Sequence, residues 1–142
     1  MYNEIKAQKN FVEKCGGIKI DHFDCHHNLC ENKIIKEVVE DLAKEFNLPI
    51  RKMFESEKVK SPDVLYKDFT ISNVNIENLK KVVSKYKNSD KVVEIITHPG
   101  WIDEHTKKIT SYLGREEEMK VLENALSEKV FEGVELINFS QI

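Results

Sequence analysis

Residues 19 to 30, KIDHFDCHHNLC, hold three of the five histidines of the chain, two of its three cysteines and two aspartates. In an extended segment alternate side chains point to opposite faces, so His22, Asp24 and His26 would project to one side and Phe23 and Cys25 to the other. A strand inside an α/β sheet is normally apolar on both faces, and His-x-Asp-x-His at its end marks a site. Imidazoles with a carboxylate form a donor set for a borderline divalent ion such as zinc, and manganese, cobalt or nickel would suit it too. The carboxylate equally suits the orienting of a ligating imidazole. Two other readings stand beside this one. The segment could be a solvated loop, or a zinc site through Cys25, His26 and Cys30, although Cys-x4-Cys without a second ligand pair matches structural zinc poorly. Redox chemistry is disfavoured by the absence of Cys-x-x-Cys.

A second strand shows the same anomaly. In VVEIITHPGW, Glu94, Ile96 and His98 share one face, and His98 stands where Pro99-Gly100 turns the chain. Two histidine-tipped strands at one edge of a parallel sheet would converge on one ion, at the edge where α/β proteins bind ligands. Glu94, within an apolar run, is either a site carboxylate or the partner of a buried cation. Trp101 and Tyr112, beyond the turn, suit either packing or covering a sugar ring.

The elements that must carry these residues alternate between helices and short apolar runs. A helix is expected over residues 3 to 15, stopped by Gly16-Gly17. A strand follows in GIKIDHFD. Ile35, Val38, Val39, Leu42 and Phe46 recur at helical spacing in the next segment, and LPIRK follows as a short strand. Residues 53 to 70 read as a long loop with a short strand at most. Asn75 caps a helix through Tyr86, KVVEIITH is a buried strand, a loop runs from Pro99 to Gly114, and a helix spans about 115 to 128. GVELINF is expected as a closing strand. Strands separated by helices predict a parallel sheet, an α/β fold with about four strands.

Composition narrows the partners. The 142 residues fit one domain, the net charge is -3, and acids and bases are interspersed, so neither nucleic acid nor an anionic membrane is an expected partner. No apolar run approaches the ~20 residues of a membrane span, and MYNEIKAQKN lacks the core of a signal peptide, which predicts a cytoplasmic protein. Three cysteines without paired spacing predict reduced thiols.

EIKAQKNFVEKCGGIKIDHFDCHHNL, IIKEVVEDLAKEFNLPIRK, EIITHPGW, SYLGREEEMKVLENAL and GVELINF resemble, in order, the YdjC-like carbohydrate deacetylases, also called the ChbG/HpnK group. The resemblance implies a (β/α) barrel-like fold and a divalent metal, magnesium or zinc. It implies removal of acetyl groups from an N-acetylated sugar substrate of the chito-oligosaccharide type. By position, it implies His26 and His98 as metal ligands, Asp24 and His22 as site or supporting residues, and Arg115 as a residue near the substrate loop; within that set Asp24 is expected as the catalytic carboxylate, and Glu94, from its place in the second strand, as a supporting residue. Arg115, Glu118 and Leu122 fall in its Arg-x-x-Glu-Met-x-x-Leu frame. Asn28 and Cys30 stand where the family commonly has further histidines, a change at the pocket rim.

The family also begins with a strand ending in an Asp-Asp pair that supplies a metal ligand and the proposed catalytic base, and nothing before Lys19 resembles it. Residues 1 to 142 are therefore expected to form a single incomplete domain, a partial (β/α) barrel lacking its N-terminal strands. Such a chain is expected to bind metal weakly, to deacetylate poorly, and to form homo-oligomers or take up a partner segment through its open edges. The alternative from another functional class is a non-enzymatic sugar- or partner-binding module of the same fold.

Overall fold

The computed structural model describes residues 1–70 and 73–142, without the side chains of His27 and Asn28, so the rim change expected at Asn28 lies outside the described residues. The chain divides into two compact units: Met1–Asp63 with Ile137–Ile142, and Val64–Leu136.

In the first unit, α1 (Tyr2–Gly16) ends at Gly17, whose φ of 62° is the left-handed conformation that glycine adopts without strain. It lies on α2 (Lys33–Phe46), with Lys9 over the Phe46 ring and Tyr2 and Lys6 bonded to Glu45. Asn32 starts α2 by accepting the amides of Ile34 and Ile35, and Asn47, left-handed at φ 51°, ends it. The apolar stripe of α2 packs into a core of Cys25, Cys30, Val39, Ala43 and Ile50, joined by Phe23, Ile35 and Met53.

The strand expected over GIKIDHFD is reduced to one parallel bridge, Phe23 to Ile50. Phe23 donates to the Pro49 carbonyl and accepts from Arg51. The next rung back would need an N–H on Pro49, which proline lacks, and the N–H of Ile50 goes to Lys60 instead. The LPIRK strand shortens for the same reason.

In the second unit, β1 (Val64–Tyr66) and β2 (Val93–Ile95) pair in parallel, with Leu65 opposite Glu94. The sheet is parallel as the helix–strand rhythm predicts, and α3 (Ile76–Tyr86) makes the crossover, begun by the Asn75 side chain accepting the Asn78 amide. After β2 come the one-turn α4 (Thr106–Ile109) and then α5 (Arg115–Ser127), which packs against α3. The core here is Phe69, Val74, Leu79, Val121 and Ala125, with Tyr66, Ile95 and Leu122 against it.

GVELINF is not a strand, contrary to expectation. Residues from Lys129 onward turn twice, at Lys129 (φ 53°) and Gly133 (φ 80°), held by short bonds from Glu132 to Lys129 and from Val134 to Phe131. Leu136 is left exposed, and a short 3-10 turn, Phe139–Gln141, follows. An apolar run becomes a strand only where a neighbour accepts its hydrogen bonds, and among the described residues no strand pairs with this one.

Candidate functional site

The two histidine segments fall in different units, and each has its own surroundings. In the first unit, burial follows the expected alternation: Cys25 is buried and Phe23 packs on the core, while Asp24 and His26 are exposed. His26 opens a 3-10 turn, His26–Glu31, so the extended stretch stops at Cys25. His22 turns its Nδ1 to Asp21 at 2.7 Å and stacks on the Phe139 ring, with centroids 4.1 Å apart. Asp24 accepts from the Arg51 guanidinium at 2.9 Å. Arg51 was not singled out by sequence, because the single bridge of this segment is what sets it beside Asp24. A groove of about 540 Å³, bordered by Lys19, Lys44, Lys58 and Lys60, lies in the same unit and takes in none of the predicted site residues.

The cysteines correct an expectation. Cys25 and Cys30 form a disulfide across the 3-10 turn, with Cα atoms 5.9 Å apart, and only Cys15 is a free thiol. The tight turn brings the two Cα atoms within the usual disulfide range. With both sulfurs bonded to each other, neither is a thiolate, and the Cys25–His26–Cys30 zinc reading falls.

The second unit holds His98 in a built seat. The carboxylate of Glu118, on the buried face of α5, is completely inaccessible to solvent. It accepts the backbone N–H of His98 and the phenol of Tyr112, and its Oε1 lies 3.9 Å from His98 Nδ1. The Tyr112 ring stands edge-on to the imidazole, with centroids 5.6 Å apart. Gly114, at the start of α5, has room for nothing more, because a Cβ there would come 2.7 Å from the Tyr112 hydroxyl.

The same helix end holds the rest of the turn. Arg115 Nη1 donates to the His98 carbonyl at 3.3 Å, Gly100 donates to the Arg115 carbonyl, and Ile102 donates to the Glu116 carboxylate at 2.9 Å. Asp103 accepts both the amide and the hydroxyl of Thr106 at 2.6 Å, and those bonds hold its carboxyl below the usual range. The His98 side chain is 45% exposed, and Arg115 Nε is buried and has no hydrogen-bond partner among the described residues. Trp101 is 75% exposed, so it is not core packing. Glu94 sits in β2 opposite Leu65 and is half-buried.

Sequence reasoning placed Glu118 in a motif frame and among the first-turn acids that suit the positive end of the helix dipole, but not in the site. A signal was present: Glu118 lies three, four and seven residues before Val121, Leu122 and Ala125, an acid on the apolar stripe of a helix.

The model of the YdjC-like proteins matches residues 1–131. The chain belongs to the YdjC-like protein family. A carbohydrate deacetylase of Listeria monocytogenes serotype 4b is 36% identical over 115 residues, which is 78% of this chain and 45% of that protein. Carbohydrate deacetylases of Oceanobacillus iheyensis and Clostridium beijerinckii are 33% and 32% identical, over 84% and 89% of this chain. The chain spans about half the length of these curated relatives, 45 to 55% of each. A solved structure from Enterococcus faecalis V583, described as a cellobiose-phosphate cleavage protein, superimposes with a TM-score of 0.84 at 28% identity. That match covers 99% of this chain and 59% of the other. Both the mixed α/β fold and its parallel strand pair thus belong to a YdjC-like protein. Among the described residues, no group of three or more His, Cys, Asp and Glu gathers as a metal-holding cluster, and no helix is long and apolar enough to cross a membrane.

Proposed function

We propose that these residues are part of a divalent-metal-dependent carbohydrate deacetylase, built on part of a (β/α) barrel, that removes acetyl groups from N-acetylated sugars of the chito-oligosaccharide type. The observation that carries this reading is the seat of His98, an exposed imidazole fixed at a strand end by a wholly buried carboxylate. The names of the relatives support the reaction class. His98 and His26 are each an accessible imidazole, the donor type of a zinc-class ion, and each would serve as a ligand from its own unit, whereas magnesium would need oxygen donors beside them. A bound ion would polarise the acetamide carbonyl and lower the pKa of a coordinated water.

Within the chain, Asp24 accepts the proton of the attacking water, held in place by Arg51. His22 and Glu94 support the two histidine segments. Arg115 stands near the substrate, and its Nη1 keeps the His98 turn closed. A second reading, a sugar-binding module without catalysis, is favoured by the pairing of Asp24 with Arg51, which competes with any proton it would accept.

The test is acetate release from N-acetylated chito-oligosaccharides with magnesium or zinc. It uses the chain itself and the chain grafted in place of the 115 matched residues of the Listeria protein. Release by the graft that is lost with His98→Ala or His26→Ala supports the deacetylase. Sugar binding by the graft without release of acetate supports the module.

A further inference from the structure

We infer that Glu118 is the positioning residue of the site, and that it holds His98 as the tautomer protonated on Nδ1, leaving Nε2 as the free donor nitrogen. A buried carboxylate without partners is costly, so what it touches indicates what it is for. Here the described partners are His98, three residues beyond β2, and Tyr112, near the far end of the same loop. One buried group therefore closes both ends of that loop onto α5. The backbone N–H of His98 fixes where the residue sits. The Tyr112 phenol lies beside the imidazole and limits its rotation. Oε1 lies 3.9 Å from Nδ1, beyond hydrogen-bond length, so it acts through its field, which favours a proton on that nitrogen, and in a neutral imidazole the proton on one nitrogen leaves the other as the acceptor.

Carboxylates behind ligating histidines commonly set ring orientation and basicity in this way. The use of Nε2 as a ligand rests on the deacetylase reading above. The tautomer and the closing of the loop do not. They follow from contacts within one unit of the chain.

The experiment is two-bond 1H–15N correlation NMR of the 15N-histidine-labelled 142-residue chain without metal at alkaline pH, with His98 assigned by loss of its signals in His98→Gln. In the unmutated chain the Nε2 resonance, identified through Hδ2, is expected at the unprotonated position. Finding Nε2 protonated would overturn the proposal with no variant needed. In Glu118→Gln, which keeps the shape and removes the charge, the unprotonated Nε2 signal should be lost in favour of the protonated one; its persistence would also overturn the assignment. Tyr112→Phe removes one donor but leaves the carboxylate beside Nδ1, and is expected to keep the original tautomer. A flip equal to that of Glu118→Gln would mean that any loosening of the loop suffices, and Glu118 would lose its role. The readout is independent of catalysis. A graft that releases no acetate while the tautomer holds removes the deacetylase and leaves the seat, whereas active grafts with protonated Nε2 remove the seat alone.

Discussion

The histidines of the two units are held by different physics. His98 is anchored from beneath, by a carboxylate with no solvent exposure whose partners lie at both ends of one loop. The segment from His22 to His26 is anchored from its sides, by an aromatic stack, a part-exposed ion pair from Asp24 to Arg51, and a disulfide that brackets His26. Buried hydrogen bonds to a charge resist change strongly, because breaking one strands groups that cannot recover water. Part-exposed ion pairs contribute little, so in the first segment the covalent link carries most of the constraint.

The sharpest way to break this contrast is Glu118→Leu. The variant leaves the His98 amide and the Tyr112 phenol without their acceptor, and is expected to lose about 3 kcal/mol in urea denaturation. A loss below about 1 kcal/mol would show that the seat is not rigid. Next comes Cys30→Ser. Opening a short loop of this size removes about 2 kcal/mol by the chain-entropy relation, and thiol titration of the unmutated protein in denaturant without reductant should find one reactive cysteine. Three would show that the first segment has no covalent anchor.

The smallest expected effect concerns the other buried acid, Glu40, which is 5% exposed. Burial pushes its carboxyl up, but bonds from Ser56 and from Lys58 at 3.3 Å outweigh this and hold it below its ordinary value. Because the folded value is the lower one, its contribution is present above the ordinary glutamate range of about 4.3 and is lost as pH falls below it. Thermal melts from pH 6 to pH 3 should show a steeper decline for the unmutated protein than for Glu40→Gln. Parallel curves would contradict the shift.

The helices were legible because their information is local. The spacing of Ile35, Val38, Val39, Leu42 and Phe46 places α2, Asn75 caps with its side-chain oxygen, and Gly17 ends α1 by taking the left-handed conformation open to it. The strands at both ends of the chain were not legible, because a strand depends on a neighbour to accept its bonds. GIKIDHFD meets a proline at the rung where it would extend, and GVELINF follows the turns at Lys129 and Gly133 with no strand beside it among the described residues. His98 and Arg115 could be read as residues standing near one turn. Glu118 could be read as an acid on an apolar stripe but not as the partner of His98, since its contact with the His98 amide spans 20 residues and depends on which face of α5 is buried. The disulfide was missed because Cys-x4-Cys has no fixed geometry until a 3-10 turn closes it.

Gly114 carries a consequence for how such chains diverge. The space its Cβ would fill is taken by the Tyr112 hydroxyl on its way to Glu118. A larger residue at position 114 would push the phenol off the acid, so among related sequences the glycine and the tyrosine should be kept or lost as a pair. A lineage that replaces one should replace the other, and its Glu118 should then be free to drift.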